Sequence, residues 1–78
     1  MRTIIRKTLV GAERAAHAEW RRDGTPHDVY VGSRAEPDTR CYVVLPAAYR
    51  NRREERRTVL YGQQLAATMD TEGQITRV

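Results

Sequence analysis

Val59-Leu60-Tyr61-Gly62-Gln63-Gln64-Leu65-Ala66-Ala67-Thr68-Met69, followed by Asp70-Thr71-Glu72-Gly73, is the stretch on which the fold turns. Read with a period of two, Val59, Tyr61, Gln63, Leu65, Ala67 and Met69 share one face, and all but Gln63 are apolar. That pattern belongs to a strand. Read with a helical period, Tyr61, Leu65 and Met69 also fall together, so a single helix over 47–69 competes. The tetrapeptide Asp70–Gly73 favours the strand, because it makes a hairpin turn with Gly at a positive-φ position and Gln74–Val78 as the return. The strand reading gives an α+β fold, a small antiparallel sheet of about four strands with one or two helices. The long-helix reading, with an N-terminal strand, gives a βαββαβ ferredoxin-like plan.

Working back from that stretch, Pro46 opens a short helical candidate, since proline is tolerated in a helix's first turn. Asp28–Gly32 and Arg40–Leu45 are β-rich runs on either side of a turn-rich loop, which predicts an antiparallel hairpin. With Val29, Val31, Val43 and Leu45 facing the core, Tyr30 and Tyr42 share the opposite face. In residues 3–22, Ile5, Leu9, Ala12, Ala16 and Trp20 recur at steps of three and four, an apolar helical stripe. Arg21 and Arg22 suit the helix's negative end and Gly24 its C-terminal stop. The rival is a strand at Thr3–Val10 with a shorter helix from Ala12; Ile4-Ile5 and Leu9-Val10 do not alternate, which favours the helix.

The chain of 78 residues, 1–78, reads as a single small domain, without repeat, low-complexity tract or linker. At that length only about 60–65% of the surface is buried on folding, which argues against a deep, walled active site. Charged residues at 31% and hydrophobic ones at 40% exclude a disordered tail. The longest aliphatic or aromatic run is Tyr42–Leu45, too short for a membrane span or a signal-peptide core. One cysteine makes no internal disulfide, and a reducing cytoplasm is the expected compartment.

Motifs for chemistry are absent. Cys41, His17 and His27 lie in separate segments without the spacing of a zinc site, so no metal and no cofactor is expected. His27, Asp28 and Ser33 form a triad only on paper, and Gly32-Ser33-Arg34 is not a nucleophile elbow. No Walker loop, dinucleotide fingerprint or RNP1 pattern occurs. The expectation is a protein that is not an enzyme, with Cys41 a buried structural residue.

Charge is the sharpest feature. Net charge is +4, from 14 Lys plus Arg against 10 Asp plus Glu, and the whole excess comes from residues 1–7 and 50–57. On a helix, Arg50, Arg52, Arg53, Arg56 and Arg57 would fall within an arc of roughly 160°, with Glu54 and Glu55 outside it. Such a comb is either a solvated face laced with Arg–Glu pairs or a docking surface. Tyr49, Tyr30 and Tyr42 would add flat contact area beside it, or simply pair across the sheet.

The expected function is that of a small binding protein whose Arg/Tyr surface meets an acidic protein surface or a nucleoprotein complex. Met1 begins the chain and both ends lie close to expected elements, as in a whole small protein. Stand-alone, Arg-rich domains of this length are common among prokaryotic and phage accessory proteins that inhibit or redirect nucleic-acid-handling machines; anti-CRISPR proteins are an example. That step rests on what small proteins commonly do, not on spacing. The alternatives are direct DNA or RNA binding through phosphate contacts and a homodimer formed by sheet-edge pairing.

Overall fold

The computed structural model describes residues 3–34, 39–52 and 60–78. Strand β1 (Ile4–Arg6) leads into helix α1 (Leu9–Asp23), then strands β2 (His27–Ser33) and β3 (Arg40–Pro46). A 3-10 helix (Ala47–Asn51) follows, then strands β4 (Tyr61–Met69) and β5 (Ile75–Arg77). The five strands form one sheet in the order β1-β3-β2-β4-β5, every pairing antiparallel. The fold is α+β: among the described residues, one α-helix packs on an antiparallel sheet. No helix among the described residues is long and apolar enough to cross a membrane.

The N-terminal segment is not one helix over 3–22. Thr8 is extended and its hydroxyl accepts from the Gly11 amide at 3.0 Å, so α1 starts after it. Ile4 and Ile5 fail to alternate because both faces of the sheet are covered. Ile4 points to the helix side and Ile5 to the other. The rest of the stripe holds: Leu9, Ala12, Ala16 and Trp20 face the sheet, and Ala12 and Ala16 are fully buried. Gly24 caps the helix, its amide donating to the Trp20 carbonyl.

Residues 61–77 are strand and hairpin, not part of a long helix. The ferredoxin-like plan survives only in its first half. Because β3 is antiparallel to both β1 and β2, those two run parallel with β3 between them, a split β-α-β unit. The chain then departs from that plan, with β4 pairing along β2 and β5 beyond it.

Register corrects the expected facing of the first hairpin. Val29 pairs with Val44, Tyr30 with Val43 and Val31 with Tyr42, so odd positions of β2 lie beside even positions of β3. Val29, Tyr42 and Val44 therefore belong to the helix-side core, with Ile4, Ala12, Ala16, Ala67 and Met69. Tyr30, Cys41, Val43 and Leu45 build a second cluster on the opposite face, closed by Leu60 and flanked by Ile5, Tyr49 and Leu65. A one-residue change of register exchanges the faces of a whole strand.

Strand β4 serves both cores by breaking its own alternation. Val29 pairs with Ala67 but Tyr30 with Leu65, so Ala66 is an extra residue. That bulge turns Leu65 to the second face while Ala67 and Met69 stay under the helix. A second shift lies between the Val31 and Ser33 pairings, next to Gly62. There β4 crosses close over Gly32: a Cβ on Gly32 would sit 2.8 Å from the Leu60 Cβ and 2.9 Å from the Tyr61 carbonyl oxygen. Only glycine admits that crossing.

Candidate interaction surface

Asp28 lies in β2 with no exposed surface. Its Oδ2 accepts from Arg50 Nε at 2.7 Å, and its Oδ1 accepts from Arg50 Nη2 at 2.8 Å and from the Met69 amide at 3.2 Å. A buried carboxylate costs several kcal/mol in lost hydration, offset only when its lone pairs are filled this way. The same bonds hold the Arg50 guanidinium above its ordinary pKa, aided by the negative charge of Asp28 and, less, by Tyr30. Pro46 and the Ala47 amide, which donates to the Pro26 carbonyl at 2.9 Å, set the 3-10 helix that delivers Arg50 to this place.

The arginine run is therefore anchored at its first member. Arg50 keeps 42% of its side chain exposed while two of its nitrogens are committed to Asp28. Helical geometry ends at Asn51, and Arg52, exposed and non-helical, donates its amide to the Tyr49 carbonyl at 2.9 Å. The α-helical comb does not extend through Arg50 and Arg52, because the 3-10 turn closes between them. Arg53, Arg56 and Arg57 lie outside the described residues.

The tyrosines separate. Tyr30 is 1% exposed and forms the floor of the second-face cluster, against which Tyr49 packs half-buried. Tyr42 lies half-buried on the helix side. Tyr49 and Arg52 thus stand together at the end of the 3-10 helix, Tyr49 packs on the cluster that holds Tyr30, and Tyr42 belongs to another surface.

The paper triad is not assembled. His27 and Ser33 are the first and last residues of β2, about 20 Å apart along an extended strand. His27 is nearly buried, and its Nδ1 donates to the Thr25 carbonyl at 2.8 Å. It lines a cleft of about 260 Å³ with Glu19, Arg22 and Asp23 at the end of α1. Glu19 is held there by Arg22 at 2.9 Å. His17 instead donates from Nε2 to the Gly73 carbonyl at 2.9 Å. Among the described residues no three His, Cys, Asp or Glu side chains converge on a metal position. Cys41 is 2% exposed in the second-face cluster.

Two residues that matter here were not singled out by sequence. Asp28 enters the sequence reading only as the start of a β-rich run and beside His27 and Ser33, and nothing in its local pattern names Arg50 as its partner. Tyr61, read as part of an apolar strand face, is 70% exposed. Comparison of the chain with known protein families, with curated proteins and with solved structures finds no match.

Proposed function

We propose that this chain is a non-catalytic binding protein, one that docks through the basic segment beginning at Arg50 on an acidic surface of a larger nucleic-acid-handling complex. In kind it resembles a prokaryotic or phage accessory inhibitor of the anti-CRISPR sort, acting in a reducing cytoplasm. The observation that supports this reading is the Asp28–Arg50 pair. It ties the start of a segment carrying +3 over eight residues to the central strand of the sheet. A charged segment anchored in this way loses less freedom on docking than a free tail does.

Arg53→Glu combined with Arg57→Glu tests the reading. Binding to the partner complex should fall by at least tenfold while the melting temperature stays within a few degrees, whereas Arg14→Glu should change little. Direct nucleic-acid binding through the same segment is the second reading, supported by the sign of the charge. About five phosphate contacts on duplex DNA would give a log–log salt slope near −4 to −5, and a protein partner a shallower one. Intact binding in the double reversal would reject both. The sheet-edge homodimer has less support, since both edge strands are three residues long.

A further inference from the structure

Beyond the reach of α1, no described residue covers the helix-side face of the sheet. Register places Arg40, Ser33 and Tyr61 side by side across β3, β2 and β4. The next row inward is Arg6, Tyr42, Val31 and Gln64, across β1, β3, β2 and β4. Directly paired residues share a face, and a shallow cleft of about 390 Å³ is lined by Val31, Ser33, Arg40, Tyr61 and Gln64, with Gly32 and Gly62. Tyr61 is 70% exposed, and Arg6 and Arg40 are exposed as well.

The charge of these two rows has one sign. They hold two arginines and no carboxylate. Among the described residues Arg40 makes no ion pair, and Arg6 only donates to the carbonyl of its own neighbour, Ile5. Glu13, on the helix, is already held by Arg77 through two bonds of 2.9 Å. Glu36 and Asp38, the acids nearest Arg40 in sequence, lie outside the described residues.

We propose that this open end of the sheet binds a single-stranded nucleic acid segment. One base stacks on Tyr61, and the backbone crosses the strands over Ser33 towards Arg40 and Arg6. Two strand spacings, about 10 Å, separate Tyr61 from Arg40, so a base on the ring and a nearby phosphate on the guanidinium are reached together. An exposed ring on a sheet gains from any base's flat face, whatever the sequence. Duplex bases are already stacked and offer no such face. An acidic peptide would satisfy the arginines but give the ring no flat partner. The residues of this surface are not those of the segment beginning at Arg50, and the proposal does not depend on the docking function proposed for that segment.

The test is fluorescence anisotropy of labelled oligothymidylate and oligouridylate, each about twelve nucleotides long, at about 50 mM salt. The matching duplex and a polyglutamate peptide run beside them. The wild type should bind the single strands more tightly than the duplex or the peptide. Tyr61→Ala should weaken that binding roughly 5- to 150-fold, and Tyr61→Phe should retain it. Arg40→Glu should weaken it and reduce the steepness of the log–log salt dependence by about 0.7. Arg53→Glu with Arg57→Glu should leave the effect of Tyr61→Ala in place. Absence of single-strand binding overturns the proposal, as does a Tyr61→Ala protein that binds like wild type. Peptide binding with the same dependence on Tyr61 also overturns it and assigns the face to an acidic protein. Should Tyr61→Ala not fold, photocrosslinking of wild type to 5-iodouracil oligonucleotides decides: adducts at Tyr61 or Tyr42 support the site, and adducts confined to residues 50–57 reject it.

Discussion

Trp20 of α1 lies flat against Gly73 of the β4–β5 turn, so close that a Cβ on Gly73 would fall 2.6 Å from the indole Cδ2. The indole Nε1 donates to the Thr71 carbonyl at 3.2 Å, and His17, one turn earlier, donates to the Gly73 carbonyl. Gly73 has φ +82°, which side-chain-bearing residues rarely adopt. The helix and the last hairpin thus meet at this glycine, beside the Trp20–Thr71 bond and the Glu13–Arg77 pair.

Gly73→Val should therefore cost more than a turn substitution alone. Backbone strain and displacement of the indole act together, for about 2–4 kcal/mol, measured by urea unfolding. Trp20 is only half-buried in the native protein, because the turn covers one face of it; its emission should shift to the red in the variant. An unchanged unfolding midpoint would mean that the turn does not hold this conformation in solution.

Arg50→Ala should destabilise the fold although Arg50 is a surface arginine by exposure. It removes two hydrogen bonds and the neighbouring cation from a carboxyl group that has no exposed surface. Breaking a buried pair costs about 3–5 kcal/mol, reduced here to about 2–3 because water reaches the Arg50 side. Arg52→Ala, with no such partner, should change stability by less than about 0.5 kcal/mol. Equal effects of the two substitutions would dispose of the anchor.

The Glu13–Arg77 pair predicts one part of the acid response. The hydrogen bonds from Arg77 come first in holding the Glu13 carboxyl below its ordinary pKa of 4.5, with the Arg77 charge adding to them. A carboxyl depressed on folding contributes stability fully above its unfolded value, and that stability disappears as pH falls through the lower folded value. Asp23, lowered by its bond from the Thr25 amide, acts in the same direction. Stability should thus fall on acidification below about pH 4.5. Glu13→Gln should flatten part of that fall and cost less than about 1 kcal/mol at neutral pH. Stability curves of wild type and variant at several pH values check this; parallel curves would contradict it.

Cys41 should resist thiol reagents in the native state and react only at the rate of global opening, since it sits between Tyr30, Val43 and Leu45 at 2% exposure. Labelling that is fast and insensitive to denaturant would contradict its position.

Much of the fold was legible because local chemistry agreed with it. Gly24 stops the helix, Gly73 turns the last hairpin and Pro46 opens the short helix, each for a reason confined to a few residues. What could not be read was which face each strand presents. Ile4-Ile5 and Tyr42–Leu45 lack alternation because apolar residues pack on both sheet faces, and the pairing of Val29 with Val44 leaves no local trace in the sequence. The bulge at Ala66 hides inside an apparently regular alternation. Of the expected surface, the basic segment was visible as charge, but the capture of Arg50 by Asp28 joins residues 22 apart in sequence and leaves no periodic trace.

The two register slips in β4 have a consequence for how the protein opens. A regular ladder between β2 and β4 would unzip as a unit, each lost hydrogen bond weakening the next. Here the ladder is divided at Ala66 and again beside Gly62, so fraying that begins at the Ser33–Tyr61 end meets a discontinuity before it reaches the helix core. Amides around Tyr61–Gln64 can then exchange with solvent through small, local openings while Ala67 and Met69 stay protected until the whole molecule unfolds.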